Sequence, residues 1–197
     1  FRDEIAPVTV STRKGDVVVD SDETPMKCDA SKISKLKPVF KRDGAVTPAN
    51  SSSISDGAAA LVMMRESDAK AAGLTPLARI AGHTTFAHEP SWFTTAPVFA
   101  FQNLLKKLGW QAEEVDLWEI NEAFAAVTMA SMHDLKLSHD KVNVNGGACA
   151  LGHPIGATGS RILVTLLYAL KARGLKRGIA GLCAGGGEAT AIAIEVL

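Results

Sequence analysis

From Leu77 to the C-terminus, segments with the pattern of short apolar strands alternate with segments that have helical spacing. Such alternation favours a layered α/β domain with a mixed, mostly parallel sheet, because helices carry the chain back between parallel strands. We expect the last two strands, which flank Gly185-Gly186-Gly187, to form an antiparallel pair. Strands are predicted at 77–81, 115–120, 142–144, 178–183 and 189–197, and helices at 96–108, 122–135 and 154–173.

The first 75 residues do not show this regular alternation of strand and helix patterns. Residues 1–54 are polar and irregular, with short strands predicted at 8–10 and 17–19 and a short helix that ends near Pro38. We interpret them as part of an excursion from another domain. Within residues 55–75, residues 57–72 are predicted to form a helix whose first turns are apolar on every face and therefore need burial on all sides. Nothing else in the chain obviously covers it, whereas residues 76–197 have the pattern of a complete α/β domain.

The composition excludes several classes of protein. The chain has 197 residues and is 47% hydrophobic, which is enough for a sizeable core. Its 21 basic and 21 acidic side chains cancel, so no overall charge favours nucleic acid or an anionic membrane. A basic cluster between residues 27 and 42 is either a solvated face or a site for a phosphorylated ligand. No segment is long enough to span a bilayer.

Three cysteines are present, Cys28, Cys149 and Cys183. Their odd number, their wide spacing and the absence of a CxxC pair argue against a disulfide framework and against structural zinc. This pattern fits a reducing, cytoplasmic compartment best. Cys149 is expected to pack as a small apolar side chain.

The most unusual segment is 145–159, in which His153 lies among five glycines. The segment falls at a junction between a strand and a helix, the place where α/β folds tend to bind ligands. An imidazole there can act as a base near neutral pH, although it can also simply bond the loop backbone. Neither glycine loop has the order of a Walker or dinucleotide motif, which disfavours nucleotide hydrolysis and NAD binding.

A second candidate is Cys183, which ends an apolar strand directly before the three glycines that begin at Gly185. Backbone N–H groups in such a turn can bind negative charge that develops on an oxygen. A thiol beside that turn suits proton transfer or acyl chemistry, whereas the plainer interpretation is a buried apolar side chain.

A third candidate is Asn121, which precedes a predicted helix. It is either the N-cap of that helix or an amide that orients a water molecule or a substrate carbonyl. The next residue, Glu122, is expected to be an acid of the first helical turn.

Together these three segments resemble the thiolase family. Residues 121–125 resemble its NEAF motif, 152–154 its glycine-histidine-proline block, and 183–187 its C-terminal cysteine-glycine motif. The likeness runs over essentially the whole chain and is strongest to the biosynthetic type that acts on acetyl-CoA. It implies a thiolase-like layered α/β domain that includes residues 76–197. Residues 55–75 would be the last segment of the N-terminal domain, and residues 1–54 would be part of a loop domain that faces CoA.

The resemblance also implies roles. Thiolases make or break a carbon–carbon bond between acyl-CoA thioesters through an acyl-cysteine. His153 would activate the nucleophilic cysteine, Asn121 would position a water in an oxyanion hole, and Cys183 would move the α-carbon proton. The Gly185 N–H would belong to a second oxyanion hole. Ser52, Phe124 and Lys27 would contact the CoA substrate, with Met26-Lys27 replacing the family's arginine-rich pattern near the adenine.

The resemblance predicts no resident cofactor or metal, since coenzyme A is part of the substrate. It places the nucleophilic cysteine on an N-terminal half that these residues do not include, and the surroundings of Cys28 do not match that cysteine. That half and a homodimer or homotetramer are the expected partners. The alternatives are a degradative thiolase for longer 3-ketoacyl-CoA and a non-catalytic lobe that binds acyl-CoA. Ser53, where the family has glycine, and Glu188, where a smaller or neutral residue is usual, are departures.

Overall fold

The computed structural model describes residues 1–197. The strands are β1 Val8–Thr12, β2 Gly15–Val19, β3 Ala78–Ala87, β4 Leu117–Ile120, β5 Arg177–Cys183 and β6 Glu188–Val196. The helices are α1 Glu23–Lys27, α2 Ala30–Ile33, α3 Glu66–Ala71, α4 Ala96–Leu108, α5 Ala125–Leu135, α6 Ala148–Leu151 and α7 Thr158–Arg173. Short 3₁₀ segments lie at Pro90–Thr95, Ala112–Glu114 and His139–Lys141.

The larger sheet has four strands in the order β3-β6-β5-β4. β6 is antiparallel to both of its neighbours, and the neighbours β5 and β4 are parallel. The sheet is therefore mixed, with β3, β5 and β4 running in one direction and β6 alone reversed. The predicted mixed, mostly parallel sheet and the predicted antiparallel final pair are both confirmed. Residues 184–187 are too few for a parallel crossover, which needs about a dozen residues, whereas helices separate β3 from β4 and β4 from β5.

Helices α4 and α7 pack on opposite faces of this sheet. On one face, Phe101 of α4 and Trp118 of β4 belong to the larger apolar core. On the other face, Leu166 of α7 belongs to a second core. A Cβ at Gly181 would overlap the Phe101 ring, and one at Gly178 would lie 2.7 Å from Leu166 Cδ1. These two glycines point to opposite faces of β5 and allow both helices to approach it closely.

The Phe101 ring carries much of the larger core. It is fully buried and packs edge-on against Trp118, with 5.4 Å between the ring centroids. Replacing Phe101 by alanine is expected to lower the free energy of unfolding by about 3–5 kcal/mol, because the cavity is enclosed on all sides. Urea unfolding of the chain measures this. Met26→Ala, at a side chain that is 84% exposed, should change stability by less than about 0.5 kcal/mol. Equal stability of the two variants would contradict the assignment of Phe101 to the larger apolar core.

Residues 1–54 contribute little to either core. β1 and β2 form the expected antiparallel hairpin, and every residue in it is exposed. The predicted short helix is observed as α2, which ends at Ile33, so Leu36 and Phe40 lie outside it and are exposed. The helix thus ends five residues before Pro38 rather than at it.

Residues 57–65 are not helical, which contradicts the helix predicted there. Only α3, Glu66–Ala71, has helical structure in this region. Most of the apolar side chains before it are exposed, with Val62 at 89% and Met63 at 69%. A short helix is stable in water only when its apolar face is packed, and no element of this chain covers the segment.

The remaining elements agree with the sequence pattern, apart from their bounds. α4 ends at Gly109, whose φ of 68° suits glycine, as predicted. α5 begins at Ala125 rather than at 122, and α7 begins at Thr158 rather than at Pro154. The strand expected at 142–144 is reduced to a single bridge between Trp118 and Val142. The residues that were predicted to belong to these helices and this strand, but lie outside them, form the loops of the candidate site.

Candidate active site

The carboxyl ends of β4 and β5 lie side by side at one edge of the sheet, because these strands are parallel. Asn121 directly follows β4, and its backbone N–H donates to the Gly181 carbonyl at 3.0 Å. Cys183 is the last residue of β5. The edge where parallel strands end is where α/β sheets commonly bind ligands. The topology thus brings together Asn121 and Cys183, which were predicted from separate motifs.

His153 reaches the same edge from the loop before α7. Its Nε2 lies 3.4 Å from Asn121 Nδ2. Its backbone N–H donates to the Ser53 carbonyl at 2.8 Å, which ties the loop to the segment before residue 55. The preceding Gly152 has a φ of 100°, and a Cβ there would overlap the Ser55 side chain. Only glycine meets both requirements at this position.

The hydrogen bonds of the His153 ring select one tautomer. Nδ1 lies 2.7 Å from Thr158 Oγ1, and that hydroxyl donates to the Pro154 carbonyl at 3.0 Å. Since the hydroxyl proton is used in this way, Nδ1 carries a proton and donates it to Thr158. Nε2 then carries the lone pair of the ring and accepts from Asn121 Nδ2 at 3.4 Å, a long and weak hydrogen bond that a stronger proton donor can replace. Thr158 was not singled out in the sequence, and its only signal was a hydroxyl in the first turn of a helix.

The pKa of His153 is lowered from its usual value, mainly by burial and to a lesser extent by the positive charge of Arg161. A lower pKa means that the neutral imidazole, which is the base form, persists to lower pH. The position of Arg161 on α7 thus adds to the effect of burial in keeping Nε2 unprotonated.

The Asn121 side chain is almost completely buried, at 1% exposure. Its Nδ2 points to His153, whereas its Oδ1 is buried and accepts no hydrogen bond from protein atoms. The residue is not the N-cap of α5, because Phe124 occupies that position. A buried amide oxygen without a partner is costly unless a ligand or water pairs with it, which favours the binding role over the capping role.

Cys183 is buried, at 6% exposure, and burial raises the pKa of its thiol. The turn after it is closed by hydrogen bonds from the Ala184 N–H to the Glu188 carbonyl and from the Gly187 N–H to the Ala184 carbonyl. The Gly185 N–H makes no hydrogen bond within the protein, and Gly185 is exposed. It is therefore free to donate to an oxygen placed beside Cys183.

Glu122 does not lie in the first turn of a helix, in contrast to the prediction. α5 begins three residues later, and the carboxylate turns toward the glycine loop. Its Oε1 accepts from Asn143 Nδ2 at 2.9 Å, and its Oε2 accepts from the Cys149 N–H at 3.1 Å. Neither Asn143 nor this use of Glu122 could be found from the sequence, because the partners are more than 20 residues apart.

Cys149 is half-buried beside Glu122, with its Sγ 3.8 Å from the Glu122 backbone carbonyl. Burial and the nearby carboxylate raise the pKa of its thiol to about 12. The sulfur is thus protonated at neutral pH, which agrees with the prediction that Cys149 packs rather than reacts.

A buried pair of ionisable side chains lies behind the site. Glu119 of β4 is 2% exposed, and its Oε2 is 4.0 Å from Arg161 Nη1 of α7. Burial raises the pKa of Glu119 to about 8, so its carboxyl group is mostly protonated at neutral pH. A mostly neutral Glu119 compensates the charge of Arg161 less, and Arg161 contributes to the lowered pKa of His153 after burial.

The three predicted substrate contacts are placed differently from one another. Both the N–H and the hydroxyl of Ser52 donate to the Ala123 carbonyl, at 3.1 and 3.0 Å, so the hydroxyl ties its segment to the site. The Phe124 ring packs edge-on against Phe40 and Phe93, with centroids 6.2 and 6.3 Å away. Lys27 is exposed on α1 and pairs with Glu23 at 2.6 Å, with no bond to the residues of the edge.

No group of three or more His, Cys, Asp or Glu side chains is arranged to hold a metal ion. None of the helices has the length and apolar character needed to cross a membrane.

Comparison with known families identifies the class of protein. The profile described as "Thiolase, C-terminal domain" matches residues 74–196, and that described as "Thiolase, N-terminal domain" matches residues 1–67. With two profiles matching in order over nearly all residues, the chain belongs to the thiolase family.

Individual relatives narrow the comparison. An acetyl-CoA acetyltransferase of Chromobacterium violaceum is 52% identical, over 99% of this chain and 50% of the relative. The crystal structure of the Bacillus anthracis acetyl-CoA acetyltransferase is 48% identical, with a TM-score of 0.95 over 99% of this chain and 50% of the other. Human mitochondrial 3-ketoacyl-CoA thiolase is 38% identical, with a TM-score of 0.88 over 98% and 49%. The chain spans about half the length of these relatives.

Proposed function

We propose that this chain supplies catalytic groups to an acyltransferase that condenses two acetyl-CoA molecules to acetoacetyl-CoA and CoA, or catalyses the reverse thiolysis. The observation that carries the proposal is the arrangement at the sheet edge, where His153 Nε2 keeps its lone pair 3.4 Å from the Asn121 amide and Cys183 ends the neighbouring strand. The relatives with the higher identities are named acetyl-CoA acetyltransferases, which favours acetyl-CoA over longer 3-ketoacyl-CoA substrates.

The nucleophilic cysteine is proposed to come from an N-terminal half that these residues do not contain. The matched relatives are twice as long as the chain. None of the three cysteines present suits the role, since Cys149 has a strongly raised pKa, Cys183 is buried and Cys28 is exposed in the first 54 residues. Residues 57–65, most of whose apolar side chains are exposed, are the part of the chain that the missing half would cover.

In the proposed first step, His153 Nε2 takes the proton of the nucleophilic thiol, and the thiolate attacks the carbonyl carbon of acetyl-CoA. The negative oxygen of the tetrahedral intermediate is stabilised by an oxyanion hole, in which His153 and a water positioned by Asn121 take part. The carbon–sulfur bond to CoA breaks, and CoA leaves as the thiol with the proton from Nε2. The product is an acetyl-cysteine.

In the proposed second step, Cys183 in its thiolate form takes a proton from the α-carbon of a second acetyl-CoA. The negative oxygen of the resulting enolate is held by the Gly185 N–H, and the α-carbon attacks the acetyl-cysteine. The bond from the carbonyl carbon to the cysteine sulfur breaks, and acetoacetyl-CoA is released. The sulfur leaves as the thiolate and takes up the proton that Cys183 removed, which restores both cysteines. Coenzyme A is thus part of the substrate, and Ser52, Phe124 and Lys27 are proposed to lie along its path.

The proposal extends to the assembly and the cell. We propose the division into residues 1–54, 55–75 and 76–197, with the first two belonging to domains completed by the missing half. The complete enzyme is proposed to be a homodimer or homotetramer that acts in the cytoplasm, without nucleic acid or membrane as a partner. The three unpaired cysteines support a reducing compartment.

The test compares the 197-residue chain alone with a fusion in which it replaces the matching half of the Chromobacterium violaceum relative. We expect thiolysis of acetoacetyl-CoA in the fusion only. The loss of acetoacetyl-CoA absorbance measures this reaction. Activity of the chain alone would place the nucleophile among Cys28, Cys149 and Cys183 and contradict the assignment of roles. A fusion that has the melting behaviour of the relative but no activity would contradict the proposed function.

A further inference from the structure

The side chain of Glu122 joins the end of β4 to the loop that carries His153. Glu122 is the residue after Asn121, yet its carboxylate reaches across to the first turn of α6, where it accepts the Cys149 N–H at 3.1 Å. Four residues further along the chain from Cys149, the same loop presents His153. One acidic side chain therefore connects the two segments from which Asn121 and His153 emerge.

Asn143 completes this connection from the other side. Its Oδ1 accepts from the Ile120 N–H at 2.8 Å, and its Nδ2 donates to the Ile120 carbonyl at 2.9 Å and to Glu122 Oε1 at 2.9 Å. The side chain thus pairs with the last residue of β4 as a neighbouring strand would. With both amide groups used, Asn143 fixes the carboxylate of Glu122 in one orientation.

The loop is shaped to receive the carboxylate at Gly147. The φ of Gly147 is −139°, which any residue adopts, so backbone freedom does not require glycine there. Instead, a Cβ at this position would overlap the Glu122 carboxylate, which occupies the space. The loop and the carboxylate are therefore in direct contact, and the contact leaves no room for a side chain.

We propose that Glu122 is a positioning residue that holds the loop 147–153 against the end of β4 and thereby sets the separation of Asn121 and His153. The catalytic part of this inference rests on the proposed function. Reacting groups displaced by about 1 Å can lose about 10²-fold in rate, so a fixed separation matters for the first oxyanion hole. Glu122 itself touches neither reacting group through its carboxylate, and it acts through the loop.

The first readout is turnover of the fusion protein that carries Glu122→Gln. Glutamine keeps the shape of the side chain but can accept only through one of its two terminal atoms. We expect kcat for thiolysis to fall by about 10-fold to 10²-fold with little change in KM, because the separation within the site changes and the CoA contacts do not. Glu66→Gln, which removes an exposed carboxylate that pairs only with Lys70, is the matched control.

The second readout does not depend on activity. Iodoacetamide labelling of the 197-residue chain, followed by peptide mass spectrometry, reports on Cys149, with the exposed Cys28 as an internal standard. Removing the charge of Glu122 lowers the pKa of the Cys149 thiol and loosens its loop. We expect Cys149 in Glu122→Gln to react about 10-fold faster than in the native chain, and Cys28 to react at the same rate.

A second pair of variants distinguishes loss of the contact between Glu122 and Gly147 from a general loss of stability. Gly147→Ala should push the flexible end of Glu122 out of its place and reproduce both effects while the carboxylate is still present. In the Glu122→Ala background, Gly147→Ala should add little, because the colliding side chain is gone. Such non-additivity would follow from the contact between the two positions and would not arise from two independent losses of stability.

The outcomes separate the inference from the proposed function. Faster labelling of Cys149 together with a fall in kcat at constant KM supports the positioning role. Unchanged labelling in Glu122→Gln overturns the contact, and faster labelling with unchanged kcat overturns its role in positioning. Additive effects of Gly147→Ala and Glu122→Ala also overturn it. If the unsubstituted fusion is inactive, the proposed function fails, whereas the labelling and the double variant still decide whether Glu122 holds the loop.

Discussion

Replacement of His153 by alanine is expected to slow formation of the acetyl-cysteine by about 10³-fold or more. The variant loses the base that takes the thiol proton and one donor of the oxyanion hole, and each typically contributes about 10²-fold or more. The measurement mixes the fusion protein with acetyl-CoA, quenches at short times and follows the added acetyl mass on the intact protein. Acylation is the step to measure, because it precedes any role of Cys183.

The matched control is His133→Ala. His133 lies on α5 with a side chain that is 87% exposed and pairs with Asp134, away from the sheet edge. It should acylate at the rate of the unsubstituted fusion. A His153→Ala variant that also acylates at that rate would refute the assignment of the base, and the tautomer derived from Thr158 would then have no catalytic meaning.

The same assay has an expected pH dependence. Burial, with a smaller contribution from Arg161, holds the pKa of His153 below its ordinary value. Because protonation removes the base, acylation is expected to be lost as pH falls through this lowered pKa, so the loss begins below about pH 6.5. An acidic limb that lies above this value, or one unchanged in His153→Ala, would point to another titrating group.

The arrangement of helices along the chain and the directions of the main strands were largely predictable, whereas the order of the strands in the sheet was not. The bounds of α4 follow from apolar spacing that stops at Gly109. Strand order depends on which neighbour a strand finds, and the place of β6 between β3 and β5 is set by packing between distant segments. The prediction of a helix at 57–65 was wrong for a related reason. Its apolar pattern indicates that the segment is meant to be buried, but no other element of this chain provides the surface that would bury it.

Within the site, the sequence indicated the residues whose neighbours are unusual. His153 and Cys183 stand out because glycines flank them, and Asn121 stands out through its motif. Thr158 and Glu122 were missed because their importance depends on a single contact each, with the His153 ring and with the loop at Cys149. A threonine or a glutamate near a helix start is common, so only the folded structure distinguishes these two from ordinary first-turn residues.

Replacement of Cys183 by alanine is expected to separate the two halves of the reaction. Acetyl-cysteine should still form, whereas condensation and thiolysis should fall by about 10²-fold to 10⁴-fold, the usual loss when a positioned acid or base is removed. Burial raises the pKa of this thiol, so the sulfur is protonated at neutral pH and has the proton that thiolysis returns to the α-carbon. Acetyl mass on the intact fusion protein measures the first half, and acetoacetyl-CoA loss measures the second.

The comparison variant is Cys28→Ala, at an exposed thiol for which no catalytic role is proposed, and it should keep both activities. Retained condensation in Cys183→Ala would remove Cys183 from the proton transfer. Loss of acylation in a variant that melts like the unsubstituted fusion would instead make Cys183 part of the first step, and the division of labour between His153 and Cys183 would be wrong. The predicted pattern is that acylation is retained and carbon–carbon bond formation and cleavage are lost. This pattern requires Cys183, at the end of β5, to transfer the proton of the α-carbon, and His153, in the loop before α7, to transfer the proton of the nucleophilic thiol.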